Sequence, residues 1–459
     1  MVDKSCFGTT IVILGDEMTD QVATIEVYYK GQWLIAATLS SRQPELGYKG
    51  ESELEYMVDF VTSHLDDPER LAAGLSCSLP VSFELHESTT WPSFMLDILP
   101  NGYGRDHWLK RLELSDSSQA DWPLLLNGAA FPPGNIRIRE ADATRDPQIQ
   151  VPDEDGKVVS LQDHPGFDMK TVVSRQEHFI EYAFQNGAHT SGASDVQGAA
   201  PKFMLVKDSE GRFHAEGALP DDQVVSSWLV KFARGKKTAA DRQVLKNEAA
   251  YMRVAKKLGL KVFKELIWEN DTLFIPRFDR ESGEPMKRLP MESLCSLAGV
   301  SDYGVAIPQE ELCEALAKFS TDPTQEILEF VKRDVVNIAM GNKDNHARNT
   351  AVFRHESGEV TLTPLFDFAP MYLDPEGIAR VCRWQGDAEV AGTPQWEKVV
   401  NVLPDSVDGG VIRNSLREFG EKIGDLEGFM REASIDEDII EFRKKSIEAH
   451  AKQLLSLKD

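Results

Sequence analysis

The chain has 459 residues, 41% hydrophobic and 27% charged, with a formal net charge of -25; that supplies apolar material for two or three domains with real cores and excludes a disordered chain. So acidic a balance argues against nucleic acid or anionic lipid as general surface ligands, because phosphate is neutralised by clustered Lys and Arg. Five cysteines (Cys6, Cys77, Cys295, Cys313, Cys382) without CxxC spacing give neither a disulfide framework nor a zinc cluster and fit a reducing cytoplasm. No run of about 18 to 20 apolar residues reads as a membrane span, and the apolar run within MVDKSCFGTTIVILGDEMTD is too short for a secretory signal.

Residues 22–42 read as two strands around Lys30-Gly31, a hairpin opening a β-containing N-terminal module. Within it, SCSLPVSF (76–83) is extended, FMLDILPNGYGRDHWLKRL (94–112) is helix-like, and the module ends near NIRIRE (135–140). Residues 141–167 turn polar and proline-bearing, the composition of a linker or surface hairpin, and DEDG at 153–156 is a turn rather than a calcium loop, since the further acidic ligands are missing. These shifts divide the chain into 1–150, 151–290 and 291–459.

After a helical patch at 171–185, HTSGASDVQGAAPK supplies a small-residue loop with Gly192 and Gly198, suited to close approach of backbone N–H groups to phosphate, with Lys202 as an added cation. It is not a Walker A loop, and GKKT at 235–238 lacks the upstream glycine. Two strands follow, joined at 208–211. In VVSSWLVKFARG the period of two then places Leu229, Lys231 and Ala233 on one face, and Trp228, Val230 and Phe232 on the other. Residues 241–260 form an amphipathic helix with Leu245, Ala249, Met252 and Leu258 in one stripe, Glu248 on its border and Gly259 as its stop. TLFIPRFDR (272–280) is a strand broken by Pro276, hence edge-like or a hinge. From 289 onward the pattern is mostly helical.

The helix before residue 341 is well marked: Asp322 caps, Pro323 suits the first helical position, and Gly341 ends it. GNKDNHARNTAVF (341–353) then crowds three Asn, an Asp, a His and an Arg into one connector. TAVFR, a turn at 355–358 and EVTLTPLFDF follow, the last as a second strand delivering Asp367. Asp344 and Asn349 stand in the D-x-x-x-x-N spacing of a protein-kinase catalytic loop, and Asp367-Phe368 takes the place of the metal-binding aspartate and its phenylalanine. An aspartate there accepts the proton of an attacking hydroxyl; an asparagine oxygen and a second aspartate suit Mg²⁺, which prefers oxygen ligands. Such a site requires a lysine on an upstream strand and a helix glutamate to orient it, and Lys231 and Glu248 occur in that order. His346, with no second histidine at i+4, reads as a residue that orients the loop by hydrogen bonds rather than as a zinc ligand.

The ordered set G-N-x-D-x-H-x-x-N at 341–349 and LTPLFDF at 362–368, with QGAAPK (197–202), WLVKF around Lys231, NEAAYMRVAKKLGL (247–260), PRFDR (276–280), LSCSLP (75–80) and DILPNG (97–102), resembles the HipA family of bacterial toxin serine/threonine kinases from about residue 22 to the C-terminus. The resemblance implies an α+β, atypical two-lobed protein-kinase-like fold. Residues 1–150 would be a small β-containing N-terminal subdomain, 151–290 the kinase N-lobe and 291–459 a mostly helical C-lobe. It implies ATP and Mg²⁺, with Asp344 as base, His346, Lys231 and Glu248 in the catalytic set, and Asn349 and Asp367 as metal ligands. Gly198, Ala199, Lys202, Lys231, Ile275, Arg277, Phe278 and His346 would complete the nucleotide site, with 275–278 beside adenine. It also implies a protein substrate, commonly an aminoacyl-tRNA synthetase, and a small helix-turn-helix antitoxin that itself binds DNA.

Three positions depart from the family pattern. Asp195, next to Ser194, stands where the family carries its self-phosphorylated serine; Pro276 replaces an acidic hinge residue; and IARVCRWQG (378–386) is more polar than usual. Two other classes stay open beside an active protein kinase: a silent nucleotide- or antitoxin-binding module, and a kinase of a small-molecule alcohol.

Overall fold

Lys30 (φ 49°) and Gly31 (φ 88°) both adopt left-handed backbone, the condition for a two-residue turn that matches strand twist, and they close the hairpin of β1 (Gln21–Tyr29) and β2 (Gln32–Ser41). The computed structural model describes residues 21–67, 69–143, 148–175, 177–185, 201–233, 238–374 and 377–458. With β3 (Ser52–Tyr56), β4 (His86–Ser88) and β5 (Ile136–Ile138) the hairpin forms an antiparallel sheet of order β4-β3-β2-β1-β5. Its core gathers Ile25, Leu39, Leu96, Trp91 and Trp122. The stretch 94–112 is two helices, α1 (Met95–Ile98) and α2 (Gly102–Arg111), because Pro100 interrupts the ladder and Asn101 caps the second one.

Between this module and the next sheet lies a small hairpin of β6 (Gln150–Pro152) and β7 (Val158–Ser160). Its turn is closed by Asp153 Oδ1, which accepts from the N–H of Asp155 at 3.0 Å and of Lys157 at 2.8 Å.

The second antiparallel sheet has the order β11-β12-β10-β8-β9, from β8 (Lys202–Lys207), β9 (Phe213–Ala215), β10 (Ser226–Phe232), β11 (Ile267–Glu269) and β12 (Thr272–Pro276). Alternation along these strands decides what each face does. Phe203, Leu205, Val230, Phe232 and Phe274 join an aromatic core with Phe179 and Tyr182 of α3 (Glu177–Gln185). Lys202, Met204, Leu229, Lys231 and Ile275 line a cleft on the opposite face. β12 is not the edge strand expected from Pro276: it lies between β10 and β11. The proline is tolerated because it is the last residue of the strand, and the next N–H, of Arg277, still donates to Ser227 O at 2.9 Å.

α4 (Ala239–Leu258) begins with a capping box between Thr238 and Asp241 and ends at Gly259, φ 88°. Its apolar stripe packs with the helices that follow residue 290 into the largest core, among them α5 (Leu294–Leu297), α6 (Pro323–Met340) and α7 (Glu437–Leu455). A three-stranded antiparallel sheet, β13 (Met291–Ser293), β14 (Ala351–Arg354) and β15 (Val360–Leu362), sits among them. The strand expected to run to Asp367 stops at Leu362: Pro364 has no N–H to continue the ladder, and Asp367 itself has φ 54°. Among the described residues no helix is long and apolar enough to cross a membrane.

Buried charges pin the N-terminal module to the rest. Arg354, fully buried on β14, donates to Glu292 Oε2 at 3.1 Å and to the carbonyls of Gly74 (3.0 Å) and Leu75 (3.3 Å), while Glu292 Oε2 also accepts from Cys77 N at 2.8 Å. Residues 75–77 of LSCSLP are thus held by an ion pair on β13 and β14. Arg277, Asp279, Arg280 and Glu216 form a second buried knot; Gly134 donates its N–H to Asp279 Oδ2 at 2.8 Å, and its carbonyl accepts from Arg280 at 2.7 Å. Removing one partner strands a buried charge. Glu292→Ala should therefore lower the unfolding free energy by about 3–5 kcal/mol in chemical denaturation; a loss below about 1 kcal/mol, the scale of an exposed pair, would contradict this.

Candidate active site

At the centre of the cleft the Lys231 ammonium, on β10, is buried between two carboxylates. It donates to Glu248 Oε1 on α4 at 2.7 Å and to Asp367 Oδ1. Lys202, its neighbour on β8, brings a second ammonium to 3.9 Å from Asp367 Oδ2. Burial works against charge on all of these groups, and the winners differ. Asp367 is held well below the usual carboxylate range, since the attraction of Lys231 and Lys202 outweighs its desolvation. Lys231 is raised, because Asp367 and Glu248 outweigh its own burial. In Glu248 desolvation wins, and its carboxyl is pushed up despite Lys231.

The connector that carries Asp344 starts where α6 ends, and that end is fixed by tertiary partners. Gly341 (φ 82°) donates to Asn337 O at 2.9 Å, Tyr251 of α4 donates its hydroxyl to Met340 O at 2.8 Å, and Arg443 of α7 donates to Ala339 O at 3.0 Å and to Ile338 O. A Cβ at Gly341 would meet the Tyr372 ring at 2.6 Å. Within the connector the carboxamides bond the chain itself. Asn342 Oδ1 accepts from Asp344 N at 3.3 Å, Asn349 Nδ2 donates to Asp344 O at 2.9 Å, and Asn345 Nδ2 donates to Cys382 O at 3.0 Å. The crowding therefore does two things: it shapes an irregular loop, and it leaves polar atoms over. Asn349 Oδ1 is buried with no hydrogen-bond partner among the described residues. Among the described residues the hydrogen bonds expected of His346 are not made: neither ring nitrogen has a hydrogen-bond partner, and Nε2 lies 3.5 Å from Asp344 Oδ1. Burial pushes the Asp344 carboxyl up, against the pull of His346 and with added repulsion from Asp367.

Two cavities meet at Asp367. The larger encloses about 1480 Å³, open mouth included, and is lined by Lys202, Lys231, Glu248, Ile275, Pro276, Arg277, Phe278 and Asp367 among others. The smaller, about 450 Å³ with its mouth included, is lined by Asn342, Asp344, His346, Asn349 and Asp367 beside Leu312 and Phe330. Leu365, Phe366 and Asp367 belong to both walls. Lys231 and Glu248, far apart in sequence from 344–367, are thus brought together with that segment. Arg277 lines the cleft, but its guanidinium is committed to Glu216 and Asp279. Gly198 and Ala199, with Gly192, Ser194 and Asp195, lie outside the described residues.

Other wall residues were not expected at the site. Phe94, Leu96, Asp97 and Ile136 come from the N-terminal module, and Arg348 reaches the cleft from the connector. In 378–386, the polar character noted in the sequence has a structural use: Arg380 donates to Asp334 at 2.8 Å and to Glu389, and Trp384 Nε1 donates to Asp334 at 2.8 Å, anchoring the segment to α6.

The family model of the HipA-like C-terminal domain matches residues 194–428, more than half of the sequence, and the chain belongs to the HipA family. Among solved structures, the chain is similar to the Shewanella oneidensis MR-1 toxin–antitoxin system HipA, determined with HipB and its operator DNA. The identity is 18%, the match covers 95% of this chain and 96% of that one, and the TM-score is 0.57, so the two share their fold along nearly the whole length. It also matches the Helicobacter pylori proinflammatory kinase CtkA at 13% identity, over 51% of this chain and 90% of that one, with a TM-score of 0.35.

Removing the central ammonium leaves Glu248 buried without its cation and Asp367 with Lys202 at 3.9 Å. Lys231→Met should cost about 3–5 kcal/mol of stability at pH 7. The Glu248 carboxyl, already pushed up by burial, rises further without the cation, so the folded state binds more protons than the unfolded one and the deficit should shrink as pH falls toward 5. Denaturation at the two pH values measures this, and a variant as stable as the parent at pH 7 would refute the ion-pair account.

Proposed function

We propose that this chain is an ATP- and Mg²⁺-dependent serine/threonine protein kinase of the toxin type, with residues 151–290 and 291–459 as two lobes and 1–150 as an accessory module. The observation that carries the reading is the buried Asn349 Oδ1, without a hydrogen-bond partner among the described residues, in the same pocket as Asp344 and Asp367. The two proposed ligands, Asn349 Oδ1 and the Asp367 carboxylate held ionised, are oxygens, the donors that Mg²⁺ prefers. The adjoining cleft fits a nucleotide: Met204, Leu229, Ile275 and Pro276 offer an apolar slot for a base, and Lys202 and Lys231 lie toward Asp367, where phosphates would need cations.

In this reading Asn349 and Asp367 hold the metal, Lys231 grips phosphate oxygens while Glu248 keeps its ammonium aimed, and Ile275 to Phe278 flank adenine. Bound Mg²⁺ would neutralise charge on the phosphates and orient them. Asp344 takes the proton of the incoming hydroxyl at its carboxylate, and its upward-shifted pKa makes it a better acceptor than an ordinary surface aspartate. The family resemblance supports a protein substrate such as an aminoacyl-tRNA synthetase. The HipB and operator DNA of the Shewanella complex support a small DNA-binding antitoxin as partner. The charge of -25 suits that division of labour in the cytoplasm, with the partner and not this chain gripping phosphate backbone.

Incubated with γ-labelled ATP, Mg²⁺ and a bacterial lysate, the protein should place label on a protein band, on serine or threonine. Asp344→Asn should cut the transfer by about 10² to 10⁴-fold while keeping nucleotide affinity. Label found only on a small molecule would make it a kinase of an alcohol, and no transfer at all would make it a silent binding module.

A further inference from the structure

The catalytic-loop segment is not held by its own neighbourhood alone. Arg348, one residue before Asn349, donates from Nη1 to Asp97 Oδ1 of α1 at 2.8 Å and from Nη2 to Asp302 O at 3.2 Å, and its guanidinium lies 4.8 Å from the Tyr303 ring centroid. Asp97 accepts two further bonds, from Ser293 Oγ at 2.7 Å and Ser293 N at 2.9 Å. Ser293 caps α5 through Ser296 N, and the first N–H of that helix, Leu294, donates to Thr350 O at 2.8 Å. Asn349 is therefore gripped on both sides, through Arg348 and through Thr350, and both grips lead back to one carboxylate of the N-terminal module. Tyr303 ties in again, its hydroxyl donating to Leu96 O at 3.1 Å.

We propose that Asp97 is a positioning residue for phosphoryl transfer: by holding Arg348 and Ser293 it fixes Asn349, and through the Asn349–Asp344 hydrogen bond it sets the place of the base. The N-terminal module is in this view a working part of the active site rather than an attachment to it. The proposal rests on the kinase reading above for its effect on turnover, but not for its effect on the loop. Although Asp97 lies in the cleft wall, its carboxylate oxygens are taken up by Arg348 and Ser293, so its loss acts by misplacement, which costs rate more than binding; a shift near 1 Å in a reacting group is enough for about 10²-fold.

The test uses the full chain. Asp97→Asn keeps the shape of the side chain and weakens its grip on Arg348. Phosphate transfer should fall about 10- to 100-fold, with Mg²⁺-nucleotide affinity by calorimetry unchanged. Amide hydrogen exchange should quicken at 344–349 and stay as in the parent along α6. Arg348→Met breaks the same contact from the loop side and carries the same expectations should Asp97→Asn fail to fold. Combined, the two should cost no more than the worse single change, since they remove one interaction. Parental transfer and exchange in a folded Asp97→Asn, additive losses in the double variant, or equal losses of affinity and transfer would each overturn the proposal. If the parent itself transfers no phosphate, the kinase reading fails, and the exchange at 344–349 still decides the role of Asp97.

Discussion

One ammonium group organises the site. Lys231 stands on a strand whose other face is an aromatic core, so its backbone cannot move without disturbing Phe203, Phe232 and Phe274. Its side chain meets Glu248 from a helix that begins only after that strand, and Asp367 from beyond residue 360. Three separately built elements are thus referred to one point. Desolvating a lysine and two acids is expensive, and the attraction between them repays it only while all three are present. Such an arrangement makes little sense as a device for stability alone. In the kinase reading proposed above it is a site charged in advance, with Asp367 kept ionised and Lys231 kept cationic for the phosphates of a nucleotide.

The same physics recurs at the seams. Glu292 with Arg354, the knot of Glu216, Arg277, Asp279 and Arg280, and Asp334 with Arg380 and Glu389 are all buried, and each joins segments distant in sequence. Apolar contacts would hold these surfaces together but tolerate sliding; directional, charge-assisted bonds fix register. The N-terminal module meets the rest of the chain through two of these networks and through Asp97. Its docking is therefore specific where it approaches the connector 341–353.

Much of this was legible in the sequence where local chemistry is decisive. Lys30-Gly31 announces its turn, Gly259 ends the glutamate helix, and the period of two in WLVKF separates Lys231 from Phe232. The Asp344–Asn349 spacing and Asp367 were readable because the chemistry demands those residue types. Other features were not readable because they are relations between distant residues. Nothing near Arg348 points to Asp97, 251 positions away, and nothing near Met340 says that Tyr251 and Arg443 will cap its helix. The strand expected to deliver Asp367 ends early for a local reason: Pro364 stops the ladder, and the chain then adopts left-handed backbone at the aspartate itself.

The central claim is that Asp367, kept ionised by Lys231, and the unpartnered Asn349 Oδ1 together form a divalent-metal site facing a nucleotide cleft. The most direct measurement is a crystal structure with Mn²⁺ and a non-hydrolysable ATP analogue, the metal located by its anomalous signal. The account predicts a peak within bonding distance of both Asn349 Oδ1 and the Asp367 carboxylate, with the Lys231 ammonium turned onto a phosphate. A nucleotide bound with its metal elsewhere, or with Lys231 still closed on Asp367, would contradict it.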